Sequence, residues 1–195
     1  MTATQKRSKS KTRKNRVFKT EHYKSGDGML TTVWGPGLWH SLHTISFNYP
    51  VHPTEEDKTN YREFIYGLRF VLPCGKCRVN LCKNLKLYPL TMTKMQSRET
   101  FSKYIYQLHE KINHMLGKTS GLTYADAKER YEHFRARCVA NSHQKTVKIS
   151  EKGCTEPIYG EKSKCVIHIV PQKKKCETFQ IDDRCLKKNV AAQKI

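Results

Sequence analysis

Apolar residues at helical spacing recur through residues 34–134 and nowhere else in the 195-residue chain. That confinement fixes where a core can form and which elements build it. Trp39, Leu42, His43 and Ser46 share one face at the i, i+3, i+4, i+7 spacing, which predicts a helix over about Trp34–Asn48. Tyr49-Pro50 and His52-Pro53 end it, because a residue before proline avoids the helical region. Thr54 caps a second helix, with Glu55, Glu56 and Asp57 in its first turn and Tyr61, Phe64, Ile65 and Leu68 as its stripe. A short third helix begins near Pro73-Cys74. Ser97 caps a fourth, whose face is Phe101, Ile105, Leu108, Ile112, Met115 and Leu116, with Gly117 as its stop. Thr123-Tyr124-Ala125-Asp126 matches a capping box and opens a fifth, with Tyr131 and Phe134 inward. The short connections predict a mainly α domain, a compact bundle over residues 29–140.

Two other zones flank it. Residues 1–28 carry nine Lys/Arg and two acids and almost no apolar residues, so a disordered basic arm is expected. Such an arm suits contact with nucleic acid, an anionic surface or an import receptor, or is simply a solvated tail. It has no apolar h-region, so no secretory signal peptide is expected. No run approaches the ~18 apolar residues of a membrane-spanning helix. Residues 141–195 lack a helical stripe and read as a small appendage. Within them Cys165–Val170 reads as a short strand ended by Pro171, and cysteines stand at 154, 165, 176 and 185.

Eight cysteines in a chain without an export signal point to metal or redox chemistry. Cys74-Gly75-Lys76-Cys77 follows Pro73 at a helix start, where two thiols can close a small disulfide ring. The helix N-terminus and Lys76 both favour the thiolate. By itself the spacing is shared by redox and zinc sites. Zinc needs two further ligands, and the sequence offers Cys82 but no second such pair. Two further motifs bear on the choice. Trp34-Gly35-Pro36-Gly37-Leu38-Trp39-His40-Ser41-Leu42-His43 places Trp39 and His43 on one helix face; Leu108-His109-Glu110-Lys111-Ile112-Asn113 places His109 and Asn113 on another. Brought together, the two faces make an aromatic and polar wall suited to a planar heterocycle with a sugar-phosphate tail. Taken singly, each motif is equally an ordinary core tryptophan with satisfied histidines.

In this order around a Pro-Cys-x-x-Cys, the motifs resemble the Erv/ALR-type FAD-linked sulfhydryl oxidases. The first block is met at Trp34, Gly35, Trp39, Leu42 and His43, with Tyr49-Pro50 following. The redox block is met at Pro73, Cys74 and Cys77, and the last at His109, Asn113, Leu116, Gly117 and Lys118. The resemblance covers about residues 30–138, and Pro36 brings it closer to the viral branch (of large DNA viruses) than to the mitochondrial one. It implies a four-helix bundle around FAD with a short fifth helix across the end, and usually a homodimer. It implies Cys74 and Cys77 as the catalytic pair, with Gly35, Trp39, His43, His109, Asn113 and Lys118 lining the FAD site. Protein dithiols would be the substrate, oxygen the acceptor and hydrogen peroxide the product, in host cytoplasm or virion. Two departures stand out. Glu110 replaces an asparagine, and Cys138 has no partner cysteine between residues 83 and 137. Family members often carry a second, flexible cysteine pair; Cys176–Cys185 or Cys154–Cys165 would serve, or would staple the tail. A zinc-stabilised basic nucleic-acid-binding protein and a cofactor-free particle protein are the rival expectations.

Overall fold

The computed structural model describes residues 19–137, 154–175 and 179–186. Its elements are α1 (Thr20–Tyr23), α2 (Thr31–Phe47), α3 (Glu55–Val71), α4 (Gly75–Leu87), a 3₁₀ turn (Met92–Met95), α5 (Arg98–Met115) and α6 (Tyr124–Glu132). A two-residue ladder follows, β1 (Ala136–Arg137) antiparallel to β2 (Glu156–Pro157). The mainly α class expected from the periodicity is the observed one.

Helix starts follow local chemistry. The Thr54 hydroxyl accepts the Asp57 N–H at 3.1 Å, and the Asp57 carboxylate accepts the Thr54 N–H at 2.9 Å. Ser97 with Thr100 and Thr123 with Asp126 repeat this reciprocal cap. α2 begins three residues earlier than its stripe predicts and continues through Pro36. Proline deletes one helical N–H there.

α2 packs along α5 and α3 along α4, while α6 lies against both α2 and α5. Trp39 meets His109, and Tyr49, just beyond the end of α2, meets Phe101, so α2 and α5 run antiparallel. The core is contiguous: Tyr49, Ile65, Leu90, Met95, Phe101, Tyr104 and Ile105 are fully buried. Tyr49 spans it, donating from its hydroxyl to the Met95 carbonyl at 2.9 Å while Arg98 Nε donates to the Tyr49 carbonyl at 2.6 Å.

Four expectations are corrected. Met115 and Leu116, at the C-terminal end of α5, are about half exposed; Phe64, 43% exposed, turns outward beside a shallow groove with Ile45 and Tyr61. The helix begun at Cys74 is a full bundle member of 13 residues rather than a short one. Residues 165–170 form no strand: Val166, Ile167 and Ile169 are 62–74% exposed. Alternation alone does not hold a strand that finds no neighbouring edge to bond. Of the arm expected over residues 1–28, residues 19–28 are described. Lys19–Gly28 includes the single turn α1, and the Met29 N–H donates to the Pro73 carbonyl at 2.8 Å. Residues 1–18 lie outside the described residues.

Candidate functional site

Cys74 and Cys77 form a disulfide with their Cα atoms 5.2 Å apart. The backbone explains their position. Cys74 is the N-cap of α4 in extended conformation (φ −157°, ψ 115°), and its Sγ accepts the Cys77 N–H at 3.2 Å. The loop before it is held twice. Cys74 N–H donates to the Leu72 carbonyl at 2.8 Å, and Arg78 Nη1 donates to the same oxygen at 2.6 Å. Cys77 packs against the core; Lys76 is exposed beside it. Gly28 closes over the pair: a Cβ there would sit 2.7 Å from the Pro73 carbonyl oxygen and 3.3 Å from Cys74 Cα.

The two histidine motifs do meet. The Trp39 ring stacks on His109 with centroids 3.9 Å apart and planes 8° from parallel. His43 Nε2 and His109 Nδ1 are 3.0 Å apart. Burial, and then the charge of its imidazole neighbours, pushes His43 down to about 3; burial pushes His109 down to about 4. Both rings are therefore neutral at pH 7, and one donates its N–H to the other's lone pair. His43 is buried, and its Nδ1 has no hydrogen-bond partner.

The last motif has a purely local explanation. Gly117 stands at φ +66°, its N–H bonds the His114 carbonyl at 3.0 Å, and Lys118 N–H bonds the Asn113 carbonyl at 2.8 Å. This double bond is a Schellman stop, which needs glycine at the left-handed position. It ties Lys118 to Asn113 one turn from His109. The departure at Glu110 has a visible consequence. Its Oε1 accepts from Asn113 Nδ2 at 3.0 Å, so the asparagine amide is engaged within its own helix.

Three residues of this cluster are not marked as site residues by the sequence. Tyr131 of α6 stacks on His43 and on Phe47, each at 5.3 Å. His40 approaches the Tyr131 hydroxyl at 3.4 Å, and Phe179 from the C-terminal zone packs on His40 at 5.5 Å. The i, i+3 spacing of His40 and His43 is the only local signal. Elsewhere, a cavity of about 310 Å³ lies at the other end of α2, lined by Phe47, Val51, Ser97, Arg98, Tyr124 and Lys128. It includes none of the residues expected at the site.

The tail cysteines do not pair as expected. Cys165 and Cys185 carry free thiols, as does Cys82. Cys154 is disulfide-bonded; Cys138 and Cys176 lie outside the described residues. The Cys154–Cys165 bridge does not form, since Cys165 is free.

The disulfide at the N-terminus of α4 and the stacked indole and imidazole pair thus belong to one mainly helical fold. Residues 36–134 match the Erv1 / Alr family, and the chain belongs to it. It is 43% identical over 104 residues to a probable FAD-linked sulfhydryl oxidase of Acanthamoeba polyphaga mimivirus, covering 53% of this chain and 72% of that one. It is 32% identical over 90 residues to a putative FAD-linked sulfhydryl oxidase of Invertebrate iridescent virus 6, covering 44% of this chain and 81% of the relative. The crystal structure of the yeast Erv1 core aligns with a TM-score of 0.50 at 21% identity, over 63% of this chain and 96% of that one, and so shares the fold.

Proposed function

We propose that this chain is an FAD-linked thiol oxidase that forms disulfide bonds in protein substrates, with Cys74 and Cys77 as its redox pair. The supporting observation is the disulfide at the N-terminus of α4, with Cys77 turned to the core. Family membership and the activities for which the relatives are named agree with it.

The residues present fit a flavin dinucleotide. Trp39 and His109 form a parallel ring stack, His43 Nδ1 is buried without a partner, and Gly35 leaves open space where a side chain would stand. Gly35, Trp39, His43, His109, Asn113 and Lys118 would hold it, with Tyr131 closing the wall from α6. Lys118, exposed at the end of α5, suits the phosphates. When bound, the flavin accepts an electron pair and delivers it to oxygen, giving hydrogen peroxide.

The protein's own part is thiol exchange. A substrate thiolate attacks Cys74 Sγ; the Cys74–Cys77 bond breaks, and Cys77 leaves as a thiolate. The substrate's second thiolate then attacks the mixed disulfide at the substrate sulfur. A substrate disulfide forms, Cys74 leaves as a thiolate, and the electron pair resides on the enzyme dithiol. The Cys77 N–H, already 3.2 Å from Cys74 Sγ, and the positive end of α4 stabilise that charge. Neutral His43 and His109 place no competing cation in the wall.

The relatives in two viruses favour a viral protein; by the family resemblance we take it to act in host cytoplasm or virion, as a homodimer. Among the described residues no helix is long and apolar enough to cross a membrane. The rival zinc reading finds no support there either: no group of three or more His, Cys, Asp or Glu is gathered to hold a metal. The test is a spectrum and an oxygen electrode. The purified protein should show flavin absorbance and consume oxygen with dithiothreitol. Cys77→Ser should keep the absorbance and lose the uptake; full uptake in that variant would overturn the assignment.

A further inference from the structure

A series of contacts carries the C-terminal zone back onto α2. Arg135, just before β1, donates from Nη2 to the Phe47 carbonyl at 2.8 Å and pairs with Glu132, which fixes the end of α6 against α2. β1 and β2 then pair, and the Ile158 N–H donates to the Arg135 carbonyl at 2.9 Å. Gly160 stands at φ +64°, where a Cβ would sit 2.5 Å from the carbonyl carbon and oxygen of Cys185. The Glu161 N–H donates to the Arg184 carbonyl at 2.9 Å. Asp182 caps the 3₁₀ turn Asp183–Cys185 by accepting the Arg184 N–H at 3.0 Å. Beside this fastening the half-buried Phe179 ring meets three partners. His40 lies 5.5 Å away and Phe134 6.2 Å, edge to face, while the Arg130 guanidinium lies 5.0 Å over the ring. His40 in turn meets Tyr131, and Tyr131 stacks on His43. One run of rings therefore leads from Phe179 through His40 and Tyr131 to His43, His109 and Trp39. Phe179 lies outside residues 36–134, so the part of the chain that matches the family does not contain it.

We propose that Phe179 is a cofactor-positioning residue: the C-terminal segment seats its ring on His40, and through His40 and Tyr131 it holds the histidine and tryptophan cluster in the arrangement that retains the flavin. The inference rests on the flavin reading above. Phe179 lands on the α2 residue next to Trp39 and one turn before His43, so its cover reaches the cluster through two rings only. A ring laid over another excludes water from the polar atoms behind it, and those atoms then meet a ligand in a drier setting where each hydrogen bond counts for more. The coupling runs both ways. If the seated tail tightens flavin binding by some factor, bound flavin tightens the seating of the tail by the same factor.

The experiment compares the full chain with Phe179→Ala, with Phe179→Tyr, and with Ile167→Ala, whose side chain is 74% exposed in the same zone. FAD affinity is read by fluorescence titration of the flavin-free protein. Amide exchange at residues 180–186 is followed with and without added FAD. Phe179→Ala should bind FAD about five- to tenfold more weakly, the scale of one aromatic contact. Phe179→Tyr keeps the ring and should restore the affinity, and Ile167→Ala should not change it. In the unaltered chain FAD should slow tail exchange by a like factor; in Phe179→Ala it should leave that exchange unchanged. The exchange measurement on the unaltered chain needs no substitution, so it decides even where a variant fails to fold. Equal FAD affinity in Phe179→Ala, or tail exchange in the unaltered chain that FAD does not alter, would overturn this inference and leave the oxidase reading standing. A lower melting temperature of flavin-free Phe179→Ala, with no rescue of affinity by Phe179→Tyr, would make the ring a staple of the fold and overturn it too. A full chain that binds no FAD would overturn both readings.

Discussion

Acid should destabilise this fold well before its carboxylates titrate. His43 and His109 face each other in a buried cluster, at about 3 and about 4, where an exposed imidazole titrates near 6.5. Depressed histidines bind protons in the unfolded chain first. Their contribution to stability is complete above about pH 6.5 and is lost as pH falls towards their folded values. From pH 7 to 5 the unfolded state gains most of a proton at each ring and the folded state almost none. Each histidine then costs about 2 kcal/mol, and the pair up to about 4 kcal/mol. That is a large fraction of a typical domain's 5–15 kcal/mol. Urea melts of the flavin-free protein at half-unit steps between pH 7 and 5, followed by circular dichroism, measure it. Staying above pH 5 keeps Asp57, Asp126 and Glu132 out of the account, since their partners hold them below the usual carboxylate range. His43→Leu should roughly halve the slope. A midpoint that does not move between pH 7 and 5 would refute the argument that the two rings are buried neutral.

Two further outcomes follow from glycines placed for a reason. Gly117→Ala forces a Cβ into the left-handed region at φ +66°, so thermal melts should show a loss of about 1–2 kcal/mol. Flavin affinity, read by fluorescence titration, should weaken as Lys118 shifts. Gly28→Ala puts a methyl 2.7 Å from the Pro73 carbonyl oxygen, with backbone as the obstacle. Amide exchange should show Met29 losing protection, while the core around Phe101 keeps its own.

Residues that obey local rules are legible in the chain itself. Thr54, Ser97 and Thr123 are caps by their hydroxyls and the partners three positions on, and the helices start there. Cys74 and Cys77 stand at a helix start because proline precedes them, and three positions of helix bring the two sulfurs together. The Asn113–Lys118 stop is likewise local, one glycine and two backbone bonds. Register along a helix is dictated by residues within one turn, so the chain carries that information contiguously.

What required the third dimension is every relation between distant segments. The 3.0 Å approach of His43 to His109 spans 66 positions, and Tyr131 and Phe179 join the same cluster from α6 and from the tail. Nothing in the period of α2 reveals which helix will cover it. The strand expected at 165–170 failed for the same reason, since a strand depends on a partner that sequence alternation does not supply. The fastening of Met29 to Pro73 joins segments 44 positions apart through a single backbone bond. Side-chain pattern decides which helices form; packing decides which faces meet, and the chemistry of this chain resides at those meetings.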